Sequence, residues 1–493
     1  MANKNSDFAK TVSDLDLQGQ AVALKTFQAA ASRIPAYKHF LKQNGVNPRA
    51  IKKFEDFLQL PLVTKDNYLR QYSMRELMWE GDEFNGDIIS VSSGSSGEPF
   101  FWLRDEAQQL EAADYFYDIY KNSFESDKIP TLLVVCFSMG IWIAGSYTTL
   151  GGIAAKRLGL KMNIINPALD IPDALAVIKR LKNDYQQIIL AGYPPFLKDL
   201  IDKGPSEGVD WLKLNVGYTP AGEVITEELR NYFIKKGTRY NDPTKVIGLY
   251  GTVDAGIVGY ETPLSITLRR NIYKNKLQKK LFGRQVLPTL AQYDPTKRYV
   301  ESIDGNIVFT SSTGIPLVRY NIKDVGGTIT NLNDLVSDES SLNNLLNEQA
   351  VDIKKWARPF VYVHGRSDFT ASLYAVLIYP ENIKKALLQE EVNHQVSGRF
   401  VMSVKYKKNL DQYLEILVEL KENLKPSKEI LHHVHHTISV TLSNDNFEYR
   451  KLKNSIGKKA LPVVILKEHN DAQHFSRSIN KQRWTSEALK ARH

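Results

Sequence analysis

Apolar residues recur at near-helical spacing through the start of the chain. Leu17, Val22, Leu24, Phe27, Ala31 and Ile34 fall close to one face, and Pro35 and Pro48 interrupt the pattern, so the first 60 residues are expected to be helical. From about residue 85 to 330 the pattern changes. Short apolar runs at 87–93, 131–137, 186–192, 245–251 and 305–312 alternate with amphipathic stretches, which predicts sheets covered by helices. Beyond about residue 365 the period becomes two. Phe400, Met402, Val404 and Tyr406 alternate with polar residues, and Leu414, Ile416, Val418 and Leu420 repeat this after a polar turn. A helix is expected to start near Ser427, just after Pro426, and residues 462–466 read as a last strand. The expected class is α/β, with a large domain over 1–365 and a small, mobile α+β domain over 366–493. Residues 336–349 read as a surface insertion.

One stretch competes with this picture. Residues 131–155 carry no charge and are long enough to span a bilayer. They also contain Gly140, Gly145, Gly151 and Gly152 among several hydroxyl side chains, and so read as a buried strand, a glycine turn and a buried helix. The first ten residues have no apolar core, so no secretory signal is expected. A single cysteine, Cys136, rules out an internal disulfide and a cysteine zinc site, which fits a reducing, cytoplasmic setting.

The net charge of +9 is unevenly spread. Arg269, Arg270, Lys274, Lys276, Lys279, Lys280 and Arg284 crowd one short segment. This is either solvated surface or a docking face for an anion such as a CoA phosphate or an acidic carrier protein. No nucleic-acid-binding motif accompanies it, and no nucleic-acid partner is expected. His432, His433, His435 and His436 flank an apolar stripe of Ile430, Leu431, Val434 and Ile438, and are read as a solvated helix face rather than a metal site.

The segment 92–99, Ser-Ser-Gly-Ser-Ser-Gly-Glu-Pro, follows a predicted strand. Two glycines and four hydroxyls can wrap a phosphate chain with backbone N–H groups, yet the lysine of a Walker loop is missing. It resembles the phosphate loop of the adenylate-forming enzymes, and further matches follow in that family's order. These are Tyr250-Gly251-Thr252-Val253-Asp254, Arg319-Tyr320-Asn321-Ile322-Lys323-Asp324, Gly365-Arg366-Ser367-Asp368 with Pro380-Glu381-Asn382-Ile383, and Asn480-Lys481-Gln482-Arg483-Trp484. Leu60-Pro61-Leu62-Val63-Thr64-Lys65, Gly192-Tyr193-Pro194-Pro195 and Ala221-Gly222-Glu223 resemble the phenylacetate-CoA ligase branch.

The resemblance implies an ATP- and Mg²⁺-dependent ligase that makes an acyl-AMP from a carboxylic acid and passes the acyl group to a thiol such as CoA. Ser93, Gly94, Ser95, Ser96 and Gly97 would hold the β- and γ-phosphates. Thr252 and Asp254 would lie by the α-phosphate, with Asp254 on Mg²⁺. Ala221, Gly222, Glu223, Tyr250 and Gly251 would form the nucleotide site, with Tyr250 on adenine, Asp324 on the ribose hydroxyls and Arg366 beside them. Phe137, Met139, Tyr193 and Ala221 would line the acyl pocket, Asp368 would be the hinge, and Lys481 the catalytic lysine. Other acceptors, as in acyl-protein synthetases or deazaflavin-adenylating enzymes, and a non-catalytic nucleotide-binding homologue are the alternatives. The oligomeric state stays open, a homodimer among the options. Departures from the family pattern are Glu98 for Lys, Val253 for a hydroxyl residue, Asp254 for Glu, and Phe369 and Ala375 for Asp and Gly.

Overall fold

The computed structural model describes residues 2–92, 100–140, 143–284, 287–336, 345, 351–366, 371–469, 471, 474 and 475. They form two compact units, the larger from the described residues of 1–92 and 101–365 and the smaller from Phe100 together with those from Arg366 onwards. Most of the expected insertion at 336–349 lies outside the described residues.

The chain opens with the helices Ala2–Arg33 and Pro35–Gln43, and Pro35 sits at the first turn of the second, where its missing N–H costs nothing. The buried face of the first helix is Phe8, Val12, Ala23, Phe27 and Ala30, whereas Leu17 and Val22 are exposed. Apolar spacing alone had placed those two on the wrong side of the stripe.

A hairpin of β1 (Ile88–Ser92) and β2 (Phe100–Arg104) precedes a parallel sheet of β3 (Thr131–Cys136), β4 (Met162–Ile165), β5 (Gln187–Gly192) and β6 (Val216–Pro220), ordered β4-β3-β5-β6. Every residue of β3 and β5 is buried, as expected for parallel strands covered on both faces. The charge-free stretch resolves into β3 and the helix Ile143–Arg157, and no helix among the described residues is long and apolar enough to cross a membrane.

The other large sheet holds β7 (Leu249–Thr252), β8 (Gly256–Tyr260), β9 (Thr289–Gln292), β10 (Tyr299–Ile303), β11 (Asn306–Ser311), β12 (Leu317–Ile329) and β13 (Phe360–Arg366), ordered β10-β11-β12-β13-β9-β8-β7. Strand β7 is shorter than the apolar run 245–251, because a 3₁₀ turn at Pro243–Lys245 comes first and Ile247 donates instead to the Tyr218 carbonyl.

Part of the basic run proves to be internal. Glu227 accepts from Arg230 at 3.1 Å and Arg270 at 2.9 Å, and also from Arg269, while Glu261 pairs with Arg230 at 2.6 Å. Arg269 is buried and Arg270 partly so, which corrects the reading of these two as solvated or docking surface. Glu261 also takes the Gly248 N–H at 2.9 Å, tying the network to the start of β7. Burial alone would raise the Glu227 carboxyl, but Arg230, Arg269 and Arg270 outweigh it and hold it below its ordinary value.

The smaller unit has a hairpin of β14 (Ala371–Leu373) and β15 (Val376–Ile378), then β16 (Val396–Tyr406), β17 (Gln412–Leu420) and β18 (Val463–Lys467) in one sheet. Phe400 faces Val418, Met402 faces Ile416 and Val404 faces Leu414, as the alternation predicts. Ser427 caps the helix Lys428–Asp445, whose buried stripe is Val434, Ile438 and Leu442, with Leu431 exposed. His432, His433 and His436 face solvent on it, and His435 meets the Pro462 carbonyl.

Two predictions follow from these contacts. A carboxylate with a depressed folded value stabilises above its unfolded value and loses that contribution as pH falls through the folded one. Stability should therefore drop as the pH goes below about 4.5, the Glu227 reference value, and Glu227→Gln should cost about 3–5 kcal/mol in denaturant unfolding at neutral pH. The β14–β15 turn holds Tyr374 at φ 49° and Ala375 at φ 62°, the left-handed region that favours glycine. Ala375→Gly should stabilise the smaller unit by about 0.5–1 kcal/mol, seen as a higher Tm.

Candidate functional site

The parallel strands end at a common edge, where α/β sheets bind ligands. Phe137 and Met139 follow β3, Tyr193 follows β5, and Ala221, Gly222 and Glu223 follow β6. The Phe137 and Tyr193 rings meet edge-on with centroids 5.0 Å apart. The Ala221 N–H donates to the Gly192 carbonyl at 3.3 Å, and Ala221 bridges to Leu249, so this edge continues directly into Tyr250. Gly222 has φ 88°, a conformation that suits glycine.

Tyr250 and Asp324 are buried and joined, the phenol donating to the carboxylate at 2.7 Å. Four residues on from Tyr250 and four back from Asp324, Tyr320 donates to Asp254 at 2.5 Å. Segments 250–254 and 320–324 thus clasp each other reciprocally, tyrosine to aspartate in both directions. Gly251 is exposed and Thr252 half-buried between them. The Thr252 hydroxyl accepts from the Ala255 N–H at 3.0 Å and keeps its own O–H to donate.

The segment 60–65 is laced onto the same strand. Val63 donates to the Arg319 carbonyl and accepts from the Asn321 N–H, while the Arg319 guanidinium reaches the Leu60 carbonyl at 2.6 Å and pairs with Glu301 at 2.9 Å. This lacing carries the Lys65 ammonium to 3.4 Å from Asp254 and 5.4 Å from the centre of the Trp102 ring. The Trp102 indole N–H donates to Ser92, the residue that enters the glycine- and serine-rich segment, at 2.9 Å. The sequence assigns no role to Lys65, Tyr320 or Trp102, although Lys65 and Tyr320 fall within the motifs at 60–65 and 319–324.

Asp254 offers hard carboxylate oxygens in a fixed orientation beside a half-buried hydroxyl. One carboxylate completed by substrate phosphates is a usual way to hold Mg²⁺, so the residues present fit that ion. At the end of β13, burial and the nearby Arg284 push the His364 imidazole down to about 4, leaving it neutral two residues before Arg366. Ser93, Gly94, Ser95, Ser96, Gly97, Asp368 and Lys481 lie outside the described residues, as does the side chain of Arg366.

No family model matches the chain, and no curated protein matches it in sequence. Solved structures do. A 2-hydroxyisobutyryl-CoA ligase bound to 2-HIB-AMP and CoA superposes with a TM-score of 0.64 at 14% identity, covering 97% of this chain and 91% of that one. An open conformation of that ligase gives 0.53 at 14% identity over 95% and 90%, and a postadenylation complex with 2-HIB-AMP gives 0.52 at 15% identity over 95% and 88%. The chain has the adenylate-forming ligase fold. Within that fold, the Ala221–Leu249 bridge joins the end of β6 to β7, and the Tyr–Asp clasp joins the 250–254 segment to β12.

Replacing Tyr320 by Phe removes only the hydroxyl that fixes Asp254. The loss of a buried hydrogen bond to a charged group should cost about 1.5–3 kcal/mol in denaturant unfolding.

Proposed function

We propose that the chain is an ATP-dependent, AMP-forming carboxylic acid ligase that delivers its acyl group to a thiol, with CoA the leading acceptor. The reciprocal clasp carries this reading. It holds the Tyr250 ring against the Asp324 carboxylate at one end and Asp254 against Tyr320 at the other, with Thr252 between, a sequence of groups that would suit adenine, ribose and phosphate in turn.

In the first step, an oxygen of the substrate carboxylate bonds to the α-phosphorus of ATP. The bond to the bridging oxygen breaks, and pyrophosphate leaves with the electron pair. Negative charge gathers on the phosphate oxygens, so cations and donors aimed there lower the barrier. Lys65 lies beside Asp254 as a point charge, Thr252 has a free O–H, and residues 93–97 and Lys481 would complete the set. Mg²⁺ held by Asp254 would neutralise further phosphate charge. Asp324 can accept from a ribose while keeping the Tyr250 bond, because a carboxylate has about four acceptor positions. In the second step a thiolate attacks the acyl carbon and AMP leaves. CoA is favoured because the 2-hydroxyisobutyryl-CoA ligase of similar fold was solved with 2-HIB-AMP and CoA. The edge-on Phe137–Tyr193 pair and Ala221 favour an aryl or medium-chain acid, as expected of the phenylacetate-CoA ligase branch. Residues around Asp368 are read as the hinge between the two steps.

A screen of carboxylic acids for pyrophosphate release, followed by mass spectrometry for acyl-AMP, tests this directly. Asp324→Ala should lower kcat/KM for ATP roughly 100-fold, and Lys481→Ala should lower kcat roughly 100-fold, with Lys467→Ala within about twofold of wild type. ATP binding without pyrophosphate release for any acid would turn the chain into a non-catalytic nucleotide-binding protein. Exchange that needs no acid would point to a different acceptor chemistry.

A further inference from the structure

Arg104 ends β2, the strand that leaves the glycine- and serine-rich segment, and is 3% exposed. Its Nε donates to Ser90 on β1 at 3.0 Å, its Nη1 to Gln108 at 2.6 Å and its Nη2 to the Val253 carbonyl at 2.5 Å. The guanidinium also lies 5.4 Å from the centre of the Tyr147 ring. Val253 is the peptide between Thr252 and Asp254. At the far end of the same turn a second buried guanidinium, Arg298, donates to the Ile257 carbonyl and to Glu111, each at 2.7 Å. Inside the turn Gly256 has φ 70°, and a Cβ there would lie 2.7 Å from the Tyr147 hydroxyl. Both ends of the 253–257 turn are therefore held by buried cations, and the one nearer Asp254 is anchored to the hairpin that carries segment 93–99.

Resting on the ligase reading above, we propose that Arg104 is a positioning residue: by gripping the Val253 carbonyl it fixes the peptide that aims Asp254 and Thr252 at the phosphates. The side chain of Val253 has no part in this; its backbone does. Loss of the grip frees the 253–254 peptide to rotate and lets the Asp254 carboxylate swing off Tyr320 and Lys65. A misplacement of about 1 Å in such a group can cost roughly 100-fold in rate. Burial lowers the guanidinium to about 10, only partly offset by Tyr147, Asp254 and Asp105, so holding it here is costly. An apolar residue of similar volume would serve packing as well or better.

The test uses the full chain with Mn²⁺ as the probe ion. Electron paramagnetic resonance follows Mn²⁺ binding to the ATP complex of wild type, Arg104→Lys and Arg104→Gln, with circular dichroism and Tm recorded alongside. The Gln variant should raise the Mn²⁺ half-saturation at least fivefold and lower kcat for pyrophosphate release at least tenfold, with KM for the acid within twofold. The Lys variant, which keeps the charge and one donor, should fall between Gln and wild type. Folded variants whose Mn²⁺ half-saturation stays within twofold of wild type would overturn the inference, and so would loss of the folded state in both. A wild type that binds ATP and Mn²⁺ but releases no pyrophosphate would sink the ligase reading, while the Mn²⁺ shift would still decide the role of Arg104.

Discussion

Two tyrosine–aspartate bonds hold the site together, and they constrain the sheet that carries them. In strand order, β13, β9 and β8 lie between β12 and β7. In a flat sheet that separation is about 19 Å, far beyond the reach of a tyrosine and an aspartate. The bonds Tyr250–Asp324 and Tyr320–Asp254 can both form only if the sheet coils enough to bring its seventh strand back over its third. The irregular register between β11 and β12 supplies local twist where it is needed. Coiling, clasp and site are thus one feature seen at three scales.

The clasp also solves an electrostatic problem. Two carboxylates, Asp254 and Asp324, are buried at its two ends. Each is met by a phenol donor, and Asp254 in addition by Lys65. Arg104, Arg298 and Arg319 are spent on carbonyls and on Glu111 and Glu301, so they hold the frame and leave Lys65 as the described cation beside Asp254. The nucleotide proposed above would meet oriented donors rather than a general excess of positive charge, which is how a preorganised site lowers its reorganisation cost.

Much of the fold was legible because its signals are local. Period-two alternation fixed the β16–β17 register, and unbroken apolar runs marked the parallel strands β3 and β5. The glycines within 131–155 separated strand from helix against a membrane reading. What could not be read depends on contacts distant in sequence. Nothing local distinguishes Arg269, buried against Glu227, from exposed Lys274 five residues later. Nor does spacing show that the segment around Val63 lies on Arg319 and Asn321, which alone brings Lys65 to Asp254. Leu17 and Val22 failed for the opposite reason: local periodicity counted them, but both lie exposed among the described residues.

The departures from the family pattern bear on whether the site can work, and the surroundings of each are informative. Asp254 reaches about 1.5 Å less far than a glutamate. It is not left to wander, because Tyr320 and Lys65 engage both of its oxygens. Val253 offers no hydroxyl, yet its carbonyl is the point at which Arg104 grips the turn. Each of these groups carries a desolvation cost that packing alone does not return, so the turn is held by specific polar bonds rather than by apolar filling. If Asp254 holds a metal ion as proposed, its shorter side chain, on a backbone gripped at Val253, would keep that ion nearer the turn than a glutamate would.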